Sequence, residues 1–128
     1  MKKNEVKKLL AASGREDVVI ANFTYKGKNV PCIELAGMMP LYLNFVIELM
    51  MMKPDEVFAI GRGQFCDYRT PAGIVKISRL HCYIEKVVFE DGEVLYRIHD
   101  VSKYGTTVRE QLKKKSFMEN VRSIFASL

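Results

Sequence analysis

The sequence predicts a mainly β protein, an all-β sandwich or barrel, on three observations. Short runs rich in β-branched and aromatic residues recur from Asp17 to Val108, each bounded by turn residues. The dipeptide Asp91-Gly92 separates HCYIEKVVFE from EVLYRIH and is the strongest hairpin signal in the chain. Stretches with helical spacing are short and lie toward the two ends.

Residues 4–12 read as a short helix, with Asn4 as its cap, Val6, Leu9 and Leu10 on one face, and Gly14 as its stop. From Asp17 the character changes. VVIANFTY and NVPCIEL flank the turn Lys26-Gly27-Lys28 and read as a hairpin over 17–36. Pro31 makes the second arm an edge or bulged strand, because proline cannot donate to a ladder. Leu41, Leu43, Phe45, Ile47, Leu49 and Met51 then alternate with a mixed set, which favours a strand half-buried on one side. The run is apolar enough to satisfy a helical period too, and both readings stay open. Met50, Met51 and Met52 read as adaptable packing.

After the Pro54-Asp55 turn comes the strand VFAI, ending at Gly61-Arg62-Gly63. The loop QFCDYRTPAG leads to a brief strand IVKI, then to the Asp91-Gly92 hairpin. DVSKYGTTV adds a turn and one more short strand. Ser116 and Glu119 have the form of a capping box, and Phe117, Val121, Ile124 and Phe125 recur at helical spacing, so 116–127 reads as an amphipathic helix. Lys113 to Lys115 reads as a solvated charge run.

At 128 residues the chain fits one domain with a sizeable core, and 48% hydrophobic with 27% charged residues fits a soluble globular protein. No apolar run reaches the ~18–20 residues that span a bilayer. The basic N-terminal stretch lacks the apolar segment of a secretory signal. Cys32, Cys66 and Cys82 include no C-x-x-C pair and fit reduced thiols in the cytoplasm, or in the nucleus of a eukaryotic cell. A net charge of +5 suits an anionic partner without deciding between nucleic acid and phosphorylated protein.

The chemistry is sought at KISRLHCYIE, which gathers Ser78, Arg79 and His81 at the mouth of a strand. A nucleophile and base would need an orienting acid and an elbow such as G-x-S-x-G, and neither accompanies Ser78 and His81. His81 and Cys82 are strand neighbours and face opposite ways, so they form no dyad. The histidines and cysteines lack the close pairs of a structural zinc site, and no metal or cofactor is expected. Gly61 and Gly63 lack the third glycine and following helix of a dinucleotide fingerprint. An anion cradle fares better. Three turns, Gly61-Arg62, Ser78-Arg79 and Ser102-Lys103, carry donors without matching acceptors. Brought to one end of a sandwich, they would present guanidinium, hydroxyl, ammonium and backbone N–H groups to a phosphate. Nothing there requires a base, so such a site binds and is not an enzyme's.

The string FAIGRG, then ISRLH, then HDVSKYGTT, over residues 41–108, resembles the forkhead-associated (FHA) domain, a phosphothreonine-binding β-sandwich. Three motifs in the right order between strands make the resemblance fairly specific. It implies that Arg62 contacts phosphate or peptide backbone, that Ser78 and Arg79 are the central phosphate ligands, and that Lys103 lies on the rim. It also implies that Gly61, His81, Gly105 and Thr106 are architectural, with His81 holding Ser78 in place. The sequence departs from the family at two points. The family's peptide-binding Asn is Tyr104 here, whose phenol can still donate. Instead of the usual closing strands, REQLKKK and the 116–127 helix follow Val108. The resemblance therefore implies an FHA-like sandwich with short terminal helices and an atypical C-terminal closure, in which the 17–36 hairpin and the C-terminal helix cover the open edge and core. A monomer is expected, or a dimer formed by strand exchange.

The function that follows is phosphothreonine-dependent docking of a partner protein in signalling. The alternative is a phosphate-independent FHA-like assembly or scaffold module. Nucleic-acid binding ranks lower because the cations are scattered, and a membrane partner is not expected.

Overall fold

The computed structural model describes residues 1–25 and 31–109. The chain runs through α1 (Lys3–Ser13), β1 (Val18–Phe23), β2 (Cys32–Leu35), β3 (Met39–Tyr42), α2 (Val46–Met51), β4 (Val57–Gly61), β5 (Tyr68–Arg69), β6 (Cys82–Val88), β7 (Val94–Asp100) and β8 (Thr106–Arg109). It is mainly β, with a five-stranded sheet in the order β1-β7-β6-β4-β5 and a three-stranded sheet in the order β3-β2-β8. Phe58, Ile60, Ile84 and Ile98 from the first sheet share one buried cluster with Ile33, Leu35 and Leu41 from the second. This is the sandwich that the resemblance implied.

The outer face of the larger sheet is covered as well. Val57, Ala59 and Tyr83 pack there against Val6, Leu9 and Leu10 of α1. That explains why β4 reads as an unbroken apolar run: all five of its residues are buried, from both sides at once. The helix starts at Lys3, and Asn4 does not cap it: the cap position falls on Lys2, with no side-chain hydrogen bond. Gly14 does end it, at φ 66°, with its N–H on the Leu10 carbonyl.

The β6–β7 hairpin forms in full register around the Asp91-Gly92 turn. β8 follows the DVSKYG turn as expected. Three expectations are corrected. The strands of the 17–36 stretch do not pair with each other: β1 lies antiparallel to β7, while β2 lies between β3 and β8. Three of the four β2 residues are buried, which demands a central place, and Pro31 stands just outside the strand, where its missing N–H costs no ladder bond. The expected turn Lys26-Gly27-Lys28 lies outside the described residues.

Residues 41–52 split between the end of β3 and the helix α2. The helical period wins from Phe45 onward, because Phe45, Leu49 and Met52 face the core while Ile47 and Met51 point out. IVKI forms consecutive turns instead of a strand, with Ile74 N–H on the Pro71 carbonyl and Ile77 N–H on that of Ile74. The short strand of that loop is β5, parallel to β4. The expected helix over 116–127 and the Lys113–Lys115 run lie outside the described residues.

Candidate functional site

The loops after β4, before β6 and after β7 converge at one end of the sandwich. Their meeting depends on a glycine. Gly61 leaves β4 so close to the neighbouring loop that a Cβ there would lie 2.2 Å from the Arg79 carbonyl oxygen. With no side chain in the way, Arg62 N–H donates to the Ser78 carbonyl at 3.2 Å and Gly63 N–H to the Arg79 carbonyl at 3.0 Å. The Cys66 thiol donates to that same carbonyl at 3.0 Å, and burial pushes its pKa up to about 11, so it stays protonated. The backbone of Ser78 and Arg79 is thus clamped while their side chains remain available.

His81 is the second support. It is fully buried, and the Ser78 N–H donates to its Nδ1 at 3.1 Å. An imidazole that accepts at Nδ1 carries its proton on Nε2, which donates to the Gly105 carbonyl at 2.8 Å. Burial lowers the His81 pKa below 6.5 and keeps the ring in this neutral form. One ring therefore ties the loop before β6 to the loop after β7. His81 has no route to act as a base on Ser78 Oγ, because both nitrogens are occupied by backbone.

The loop after β7 has its own organiser, which the sequence reading missed. Asp100 Oδ1 accepts from Ser102 N–H at 3.2 Å, from Ser102 Oγ at 2.7 Å and from Thr106 Oγ1 at 2.8 Å. Ser102 Oγ in turn accepts from the Gly105 N–H at 2.8 Å. Ser102 was expected among the free donors; its hydroxyl is instead spent inside the loop. An Asp followed by Ser two positions on, with Gly three positions further, is the local signature of such a turn and was readable. Gly105 takes φ 92°, which a residue with a Cβ rarely adopts.

On this frame the five expected binding residues come together. Arg62, Ser78, Arg79, Lys103 and Tyr104 line one open groove of about 540 Å³. Arg62 Nε donates to the Ile77 carbonyl at 2.7 Å, which fixes the guanidinium and leaves its terminal nitrogens for a guest. Ser78 Oγ accepts from the Lys103 N–H at 3.1 Å, so its own proton is free to donate outward. Lys103 Nζ lies 5.4 Å from the Tyr104 ring centre, and that ring is half exposed. Among the described residues, Arg62, Arg79 and Lys103 form no ion pair with a carboxylate. Gly61, His81, Gly105 and Thr106 lie behind the groove, not in its lining. The far wall of the groove comes from α1 and Arg15, an arrangement that no local pattern in the sequence announces.

Among the described residues, no group of three His, Cys, Asp or Glu side chains could hold a metal ion. No helix among them is long and apolar enough to cross a membrane. The family model of the FHA domain matches residues 58–122, just over half of the chain. No curated protein and no solved structure matches.

Proposed function

Because the chain belongs to the FHA domain family, whose members mediate phosphopeptide-dependent protein interactions, we propose that it docks a partner through a phosphorylated threonine. The observation that carries this reading is the Ser78 hydroxyl. Its acceptor side is filled by Lys103 N–H; among the described residues its proton is uncommitted, and the groove that it shares with Arg62, Arg79 and Lys103 has no carboxylate in its lining. A phosphate entering there receives one hydroxyl donor and charge-assisted bonds from guanidinium groups, whose fork matches two oxygens at once. Arg79, exposed and unpaired among the described residues, is the principal phosphate ligand, with Arg62 and Lys103 beside it. Tyr104, in place of asparagine, offers its phenol to the peptide backbone. The role of His81 is to hold the Ser78 loop in shape, and the groove holds its guest without reacting.

A phosphate-independent scaffold is the second reading. It is favoured by the apolar face of α2, where Ile47 and Met51 are 76% and 77% exposed. Binding of phosphothreonine peptides set against their unphosphorylated counterparts separates the two readings: the first requires the phosphate, the second does not.

A further inference from the structure

The groove is larger than a phosphate needs. At about 540 Å³ it falls in the ~300–1,000 Å³ range of sites that hold much larger ligands. Among the described residues, its lining carries five cations, Arg15, Lys76 and the three already named, and no carboxylate. A single phosphate brings a charge of about −1.5 to −2, which leaves positive charge over.

Part of that surplus, Arg15, adjoins an apolar stretch of the lining. Leu9, Leu10 and Ala12 of α1 line the same groove as Ser78 and Arg79, with Arg15 just past the helix end. Val75 on the facing loop is 76% exposed and adds to the same apolar lining. The α1 wall is rigidly placed, because Val6 is buried against Val57 and Tyr83 and Gly14 stops the helix at this point. The α1 residues and Arg15 precede the 58–122 match, whereas Val75 lies within it.

We propose that α1 and Arg15 form a specificity wall that reads one flank of the phosphorylated segment, selecting an apolar side chain and, beyond it, an acidic one. This rests on the phosphothreonine reading above. The apolar side chain lies against Leu9, Ala12 and Val75, and the acidic one meets Arg15. Only one flank is read this way, because α1 borders only one side of the groove.

The test is a phosphothreonine-centred peptide library with each flanking position varied in turn, set against an unphosphorylated library. The full-length chain is compared with Ala12→Glu and Arg15→Glu, both at exposed positions that leave the α1 packing residues intact. Wild type is expected to prefer apolar and acidic residues on one flank. In Arg15→Glu the acidic preference should invert to Lys or Arg by about two- to five-fold, the scale of an exposed charge pair. In Ala12→Glu the apolar preference should be lost. Phosphate-dependent binding whose flank preferences are absent, or unchanged in both variants, overturns the wall and leaves the phosphothreonine reading standing. Equal binding of the two libraries by wild type overturns both.

Discussion

The backbone N–H of Lys103 donates to Ser78 Oγ at 3.1 Å, joining two loops that are 25 residues apart in the chain. This one bond orients the hydroxyl, because an oxygen that accepts on its inner side is left to donate on its outer side. Ser78→Ala should therefore act in two places. It removes the donor to phosphate and leaves the Lys103 N–H without its acceptor, at a cost to stability of about 1 kcal/mol. Arg79→Ala, at an exposed position, should leave stability within about 0.5 kcal/mol while weakening phosphopeptide binding ~10- to 100-fold. Urea unfolding beside calorimetric titration measures both quantities.

His81→Ala should be the most destabilising single change at the site. It opens a fully buried space and orphans both the Ser78 N–H and the Gly105 carbonyl. A loss of about 3–5 kcal/mol is expected, with phosphopeptide binding lost alongside. A folded variant of undiminished urea midpoint would contradict the support role.

The same histidine makes stability pH-dependent. The folded state holds His81 neutral below the ordinary 6.5, so the unfolded chain binds more protons as the pH falls past that value. Its contribution to stability is present in full above 6.5 and declines on acidification. Unfolding midpoints at pH 7.5, 6.5 and 5.5, taken in a His99→Gln background so that His81 is the one histidine left, should fall in that order. A flat or rising series would contradict a buried neutral ring.

Gly61→Ala should displace the Arg79 loop, because the new Cβ would meet backbone at 2.2 Å and backbone cannot swing away like a side-chain end. Destabilisation of about 1–3 kcal/mol with a larger loss of phosphopeptide affinity is expected. Affinity equal to wild type would mean that the loop spacing is not what places Arg79.

Deleting residues 1–36 should abolish cooperative unfolding. The deletion removes β2 from the middle of the three-stranded sheet, β1 from the edge of the larger one and α1 from its outer face. It also removes Asp17, to which Tyr83 Oη and, at 2.8 Å, the His99 ring are bonded. A soluble product with an unchanged melting transition would show that these contacts are dispensable.

What could be read in the sequence was local. The Asp91-Gly92 turn and the β4 run into Gly61 are patterns within a few residues, and each lies where its pattern suggests; Arg62, Ser78 and Lys103 each belong to a short motif of their own, and all three line one groove. What could not be read was which segment meets which. Adjacency of VVIANF and CIEL suggested a hairpin, yet their partners β7 and β8 lie more than seventy residues further on. Residues 41–52 satisfied both periods, and only burial of Leu49 against the sandwich settled the helix. The amphipathy of α1 was visible in Val6, Leu9 and Leu10, but its docking beside Ser78 depends on a sheet face that no single stretch encodes.

Preference for phosphothreonine over phosphoserine is a further expectation. A methyl group seated against the apolar lining contributes ~1 kcal/mol, or several-fold in affinity. Matched peptides differing only in that methyl, titrated at one salt concentration, give the ratio directly, and a ratio of one would contradict a methyl niche.

Whether the groove holds a phosphate is decided by titrating the full chain with a phosphothreonine-centred degenerate peptide library and with the same library unphosphorylated, alongside the Ser78→Ala, Arg79→Ala double variant. The phosphate reading requires that only the phosphorylated library binds, that its affinity falls as salt rises because exposed charge contacts are screened, and that the double variant loses it. Equal affinity for both libraries, or full affinity in the double variant, would contradict it.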